Sequence, residues 1–274
     1  GNIHRRYLSL APKAEPKPSL SVRLIPDEYE RIEGNAAIYY LGAMGFLEQD
    51  PARDAKRKFF DKNREAAQES GNDPYDVPPY SWMETNLSDL PLKEVKEYLS
   101  YTSFQVRYHK EAIKRKTCDF DRQIKGVSNV YAYLLPEVQA IRELARMQSL
   151  RFRFAIAEGR VDDAVEIFGQ QLAIGEHLAQ EPFIVSCLVG IACAGIGLND
   201  AYFLCEHSDA PNLYWAMATL PNPLVNTRYS IAFERSAIFQ QIDCLKEIDT
   251  TPRSEAYWQN FLKKFLEQLE TLIT

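Results

Sequence analysis

"IAEGRVDDAVEIF", Ile156 to Phe168, decides the fold of this chain. Gly159 stands where one helical pattern stops, and glycine enters the left-handed C-cap conformation without a steric penalty. Asp162 and Asp163 stand where the next helix starts, an end at which the helix dipole favours negative charge. Ala164 and Phe168 are four residues apart and so share a face: a small side chain where two helices cross closely, and a large one to fill the gap beyond. These are packing choices. They describe a turn between two helices and carry no catalytic signature.

Upstream of the turn, Tyr133, Leu134, Val138, Ile141, Leu144, Ala145, Gln148 and Phe152 recur at helical spacing and predict one long helix ending at Glu158. Downstream, a helix from Val161 to Gln180 turns Ala164, Val165, Phe168, Leu172 and Leu178 toward its neighbours. "PFIVSCLVGIACAGIGL" follows, with no charge between Glu181 and Asp200 and apolar residues on every side. The run is shorter than the ~20 residues a membrane span needs and holds three glycines, so it reads as a central helix rather than a transmembrane span. Two amphipathic stripes close the chain, Ile231, Ile238, Ile242 and Leu245, then Trp258, Phe261, Leu262, Phe265, Leu269 and Leu272.

On the N-terminal side, residues 1–33 carry basic residues and several prolines, the composition of an extended arm. Asn35 is placed to cap a helix running through Ala36, Tyr39, Tyr40 and Ala43, and Asp50-Pro51 opens another that reaches Ser70. "GNDPYDVPPYSW" breaks any period, so residues 71–87 form a surface connection and a candidate sub-domain boundary within an all-helical domain of residues 34–274. Ser88 or Asp89 caps the helix of Leu92, Val95 and Leu99, and a further helix spans Ser103 to Lys116. "SLSVRLIP", residues 19–26, is the one short strand candidate, so the class is all-α.

With 274 residues, 46% of them hydrophobic, the chain can bury a continuous core, and its net charge of −6 gives no drive toward nucleic acid. Five cysteines without a CxxC imply no disulfide framework; Cys187, Cys193 and Cys205 lie among apolar residues and read as small buried hydrophobes. No apolar leader core stands at residues 1–10, while "APKAEPKPS" reads as the spacer that follows a removed leader.

The polar clusters are sparse. His4, His109, His177 and His207 are too scattered for a metal signature, and "GEHLAQE" supplies at most a partial ligand set around His177, which reads as a surface histidine beside a carboxylate; no metal or cofactor is expected. "CDFD" offers Cys118 with Asp119 and Asp121 but no base to hold a thiolate, so it reads as a loop anchor in which Phe120 packs. The basic face of "FQVRYHKEAIKRK" reads as solvated charge, and "GIACAGIG" follows no strand and so is no dinucleotide loop. Two clusters fit binding. Arg146, Arg151 and Arg153 punctuate an apolar helix and suit a peptide carboxylate or another anion. Asn212, Tyr214 and Trp215 lie between prolines, either as a ligand-binding aromatic pair or as an anchor buried at a helix entry.

Gly159, Val161, Ala164 and Phe168 fall at the spacing of the tetratricopeptide repeat, with Ala155 where its first helix often carries Tyr, and this hairpin resembles that family. Gln148 stands where the family favours Trp and Gln171 where it favours a small residue; Ala55 and Phe59 make a weaker second copy. Longer stretches, among them "GNAAIYYLGA", "LVGIACAGI" and "APNLYWAMATLPNPLVNTR", resemble a group of uncharacterised planctomycete proteins that carry an N-terminal leader. The resemblances imply hairpins stacked in a tetratricopeptide-like or α-α superhelical arrangement and an extracytoplasmic location, and they bring no active site. The function expected is a non-catalytic scaffold binding a protein or peptide. The alternative is a hydrolase or other enzyme with a pocket between two halves, drawing on Asp119, Asp121 or Glu137 with His109 or His177.

Overall fold

The computed structural model describes residues 22–45, 51–71, 73, 76–124, 127, 129, 130, 133 and 135–273. Residues 1–21 of the expected arm lie outside them. Two thirds of the chain is helical, and the class is all-α. In chain order the elements are β1 (Ile32–Asn35), α1 (Ala36–Ala43), α2 (Pro51–Ser70), α3 (Ser81–Glu84), α4 (Leu92–Ser100), α5 (Ser103–Ala112) and β2 (Arg115–Thr117). There follow α6 (Pro136–Ala157), α7 (Val161–Leu178), α8 (Ile184–Glu206), α9 (Tyr214–Ala218), α10 (Arg228–Gln241) and α11 (Glu255–Ile273).

The α6–α7 turn is built as its sequence requires. Gly159 has φ +74°, its N–H donates to Ile156 O at 3.0 Å, and Arg160 N–H donates to Ala155 O at 2.8 Å. These two bonds satisfy carbonyls that the end of α6 would otherwise leave orphaned, and the Arg160 guanidinium lies over the Phe154 ring 5.5 Å away. Ala164 and Phe168 are fully buried with Phe152, Ala155 and Leu172. Where α7 crosses α8 the backbones nearly touch: a Cβ built on Gly175 would lie 3.0 Å from Gly190 O, and one on Gly190 lies as close to Gly175 O. Neither position has room for a larger residue.

α6 is the axis of the molecule, buried without interruption from Met147 to Ile156. One side shares a core with α7, α8 and Leu24. The other packs Met147, Leu150 and Phe154 against Trp82, Val95 and Tyr98 of α3 and α4, so the 71–87 connection delivers Trp82 into the core of the long helix. A third cluster joins Ala36, Ala37 and Tyr40 of α1 to Ile141, Ile174 and Leu178. Ile242, Cys244 and Phe261 form a separate small cluster with the inner face of α11.

Four expectations need correction. Residues 22–26 of "SLSVRLIP" form no strand: Leu24 is buried, with its carbonyl lying against Gly169 of α7. Nor do residues 22–33 extend freely as an arm, since Arg31 also pairs with Glu176. The helix expected to reach Lys116 stops at Ala112, because Arg115–Thr117 pairs in parallel with Ile32–Asn35. And α8 is central on one face only: Val185, Leu188, Ile191, Leu198 and Tyr202 face outward, and with them Cys205, whereas Cys187 and Cys193 are buried as expected.

Candidate functional site

Because α6 is covered on all sides from Met147 to Ile156, a guanidinium within this run reaches water only where the covering helices part. Arg151 does so. Its Nη1 donates to Gln105 Oε1 at 3.2 Å and to Gln148 Oε1 at 3.1 Å, and its Nη2 donates to the carbonyl and hydroxyl of Thr102. Those four bonds use four of the five guanidinium N–H groups, and Nε–H has no protein acceptor among the described residues. None of these partners is a carboxylate. Burial lowers the Arg151 pKa to about 10, so the group is still a cation at neutral pH.

Arg151 lines a cleft of about 260 Å³ between α5, α6 and α7. Gln148 and Gln170 are buried with it at the base, and Leu99, Val106, Phe154 and Ile167 make apolar walls. The remaining charges of the lining cancel in pairs: Lys110 with Glu166 at 3.0 Å, and Arg160 with Asp163. Of the charged residues in this lining, Arg151 is the one without a countercharge among the described residues. A hydrogen-bond relay runs from it through Gln148 and Gln170 to Glu166, so the amides soften the burial of the cation without neutralising it. The arrangement can accept an anionic group of side-chain size, since bringing a carboxylate to a buried cation removes an uncompensated charge.

The three arginines singled out for anion binding do not share a face. Helical residues meet on one face at spacings of three or four, whereas Arg146, Arg151 and Arg153 are separated by five and two. Arg146 lies outside the cleft, paired with Glu143 and over the Tyr80 ring. Arg153 points to the opposite side of α6, bonded to Thr85 O and stacked 4.9 Å from the Phe203 ring. Asn212 Oδ1 accepts from Tyr214 N–H at 2.9 Å and fixes the entry to α9. Tyr214 and Trp215 are 66% and 46% exposed and meet edge to face at 5.1 Å, which removes the buried-anchor reading and leaves an exposed aromatic pair away from the cleft lining.

The other polar candidates are tied up separately. His177 is not a surface residue: its Nε2 faces Arg115 O at 3.1 Å, so it carries the proton, and Nδ1 accepts from Tyr40 OH at 2.8 Å. Burial lowers its pKa to about 4 and that of His109, whose ring nitrogens have no hydrogen-bond partner among the described residues, to about 3. Glu137 and Glu181 both grip Arg122, which lies over the Phe120 and Phe183 rings. Asp119 Oδ1 accepts from Asp121 N–H at 2.8 Å, and burial pushes the Cys118 thiol well above its ordinary range, which leaves it protonated. Among the described residues none of Asp119, Asp121 and Glu137 forms a hydrogen bond or ion pair with a histidine. Among the described residues no group of three His, Cys, Asp or Glu is placed to hold a metal ion.

Sequence reasoning missed two centres. One is the set that holds Arg151: Thr102, Gln105, Gln148 and Gln170. The other is Asp200 of α8, buried and bonded by Ser149 Oγ at 2.9 Å and Gln171 Nε2 at 3.0 Å, with burial pushing its pKa up to about 6. Gln148 and Gln171 are two of the positions at which the chain departs from the tetratricopeptide pattern, and both are polar groups buried in the core. Comparison of the chain with family models, with curated proteins and with solved structures returns no match.

Proposed function

We propose that this chain is a non-catalytic helical scaffold that binds a protein or peptide, and that an acidic group of the partner seats over Arg151 in the α5–α6–α7 cleft. The observation carrying this reading is a buried guanidinium at the base of an open cleft whose other charges are already paired. The size of the cleft suits one side chain or a chain-terminal carboxylate better than a nucleotide or a large cofactor. Under the same reading, α6, α7 and α8 are part of a tetratricopeptide-like stack, α8 is a core helix rather than a membrane span, and the protein works outside the cytoplasm. The α6–α7 hairpin supports the first of these, and the packing of Asp200 and Gly190 onto α6 and α7 supports the second.

Fluorescence polarisation with labelled peptides bearing a free carboxylate, against matched amides, tests the site. Acidic peptides should bind and amides should not. Arg151→Gln, and Val106→Glu, which places the chain's own carboxylate in the cleft, should each weaken binding at least about tenfold. Arg146→Ala should leave it unchanged. Equal binding of acids and amides, no binding of any acidic peptide, or full affinity in a folded Val106→Glu variant would refute the site.

A further inference from the structure

The outward face of α8 follows a rule that its own core does not explain. Leu188, Ile191, Gly195, Leu198, Tyr202 and Cys205 recur at intervals of three and four, the spacing of a helix-to-helix seam. All but Gly195 are exposed, with Leu188 at 55%, and the one acidic residue within this stretch, Asp200, points inward to Ser149 and Gln171. Gly195 is at the middle of the seam. Glycine in a helix interior costs about 1 kcal/mol relative to alanine, and here nothing among the described residues requires it: a Cβ built on Gly195 meets none of their atoms within 4 Å, unlike those on Gly175 and Gly190.

We infer that this face is where two copies of the chain meet, α8 against α8 and antiparallel about Gly195. The sequence is self-complementary in that arrangement. Gly195 meets its equivalent at the two-fold axis, where its missing side chain lets the backbones approach; Ile191 meets the partner copy's Leu198, and Leu188 meets its Tyr202. Beside the N-terminal end of α8, Ile184 shares a groove with Ile231, Arg235, Ile238 and Phe239 of α10, which continues the apolar surface. Together the two helices offer on the order of 700 Å² of apolar surface per copy, close to the ~800 Å² per partner of a stable interface. Charge fits as well. Arg235 at one end and Glu206 at the other are exposed and form no ion pair among the described residues. Arg235 lies beside Ile184 at the start of α8 and Glu206 ends that helix, which is roughly 33 Å long, so the two stand at opposite ends of it, but an antiparallel pair brings each Arg235 to the partner copy's Glu206. A lipid surface would require neither the three-four spacing, nor the central glycine, nor this charge arrangement.

Sedimentation velocity over a concentration series tests the inference. The wild-type chain should associate to a dimer. Gly195→Leu should raise the dimer dissociation constant at least about tenfold although it makes the face more apolar, and it should fold, because its Cβ points into open space. Arg235→Glu should weaken the dimer, and adding Glu206→Arg to the same chain should restore it. A chain that stays monomeric at high concentration overturns the inference, as does Gly195→Leu strengthening association, or failure of the double charge exchange to recover what Arg235→Glu loses. Flotation of monomeric protein with anionic phospholipid vesicles would assign the face to a membrane instead.

Discussion

Replacing Asp200 by Asn should make the protein more stable at neutral pH, although it removes a hydrogen-bonded group from the core. Asp200 is 4% exposed between α6, α7 and α8, and burial raises its pKa from 3.8 to about 6, with the bonds from Gln171 and Ser149 and the charge of Arg153 offsetting only part of the cost. One pH unit of such displacement corresponds to about 1.4 kcal/mol, so ionised Asp200 costs the folded state roughly 3 kcal/mol relative to its neutral form. The sign follows from the direction. A carboxyl raised on folding favours the folded state fully below pH 3.8, and that contribution is lost as pH rises through 6. Asn keeps the shape and never ionises. Its Oδ1 accepts from Ser149, and the Gln171 amide can rotate so that Oε1, which in the wild type has no partner among the described residues, accepts from the new amide. Urea unfolding followed by circular dichroism should give superimposable wild-type and Asp200→Asn stabilities near pH 3.8. The gap should open with pH and level off above pH 6 at about 2–3 kcal/mol in favour of the variant. An Asn variant no more stable than the wild type at pH 7.5 would show that the carboxylate is well solvated by its neighbours and would refute the reasoning.

Two further outcomes follow from other parts of the fold. His109 and His177 are buried with pKa values lowered to about 3 and about 4, so they contribute stability above pH 6.5 that is lost as the pH falls toward those values; NMR of the ring protons should find both neutral at pH 5.5, and a midpoint near 6 for either would contradict the burial argument. Gly159→Ala should cost about 1–2 kcal/mol, because alanine resists φ +74° even with open space around its Cβ, and Gly159→Asn should cost less; chemical denaturation decides, and equal stability of all three would show that the turn relaxes without cost.

The hairpin was legible in the sequence because everything that makes it acts within a few residues: the left-handed glycine, the acidic first turn of α7, and Ala164 and Phe168 on one face. Hydrophobic spacing likewise predicted α6 and α7 to within a few residues and the all-α class, whereas α8, read from an apolar run that ends at Leu198, continues to Glu206. Only the tertiary structure decided what those helices do to polar groups. The Arg151 cleft needs Thr102, Gln105, Gln148 and Gln170 from segments 22 to 68 residues apart at the extremes, and a period along one helix records nothing about where its neighbours part. The same limit explains the parallel pairing of residues 32–35 with 115–117, the burial of His177 and Asp200, and the half of α8 left uncovered. Local propensity and periodicity act along the chain and can be read there; burial, charge compensation and exposure are set by contacts across it, so they came into view only with the folded chain.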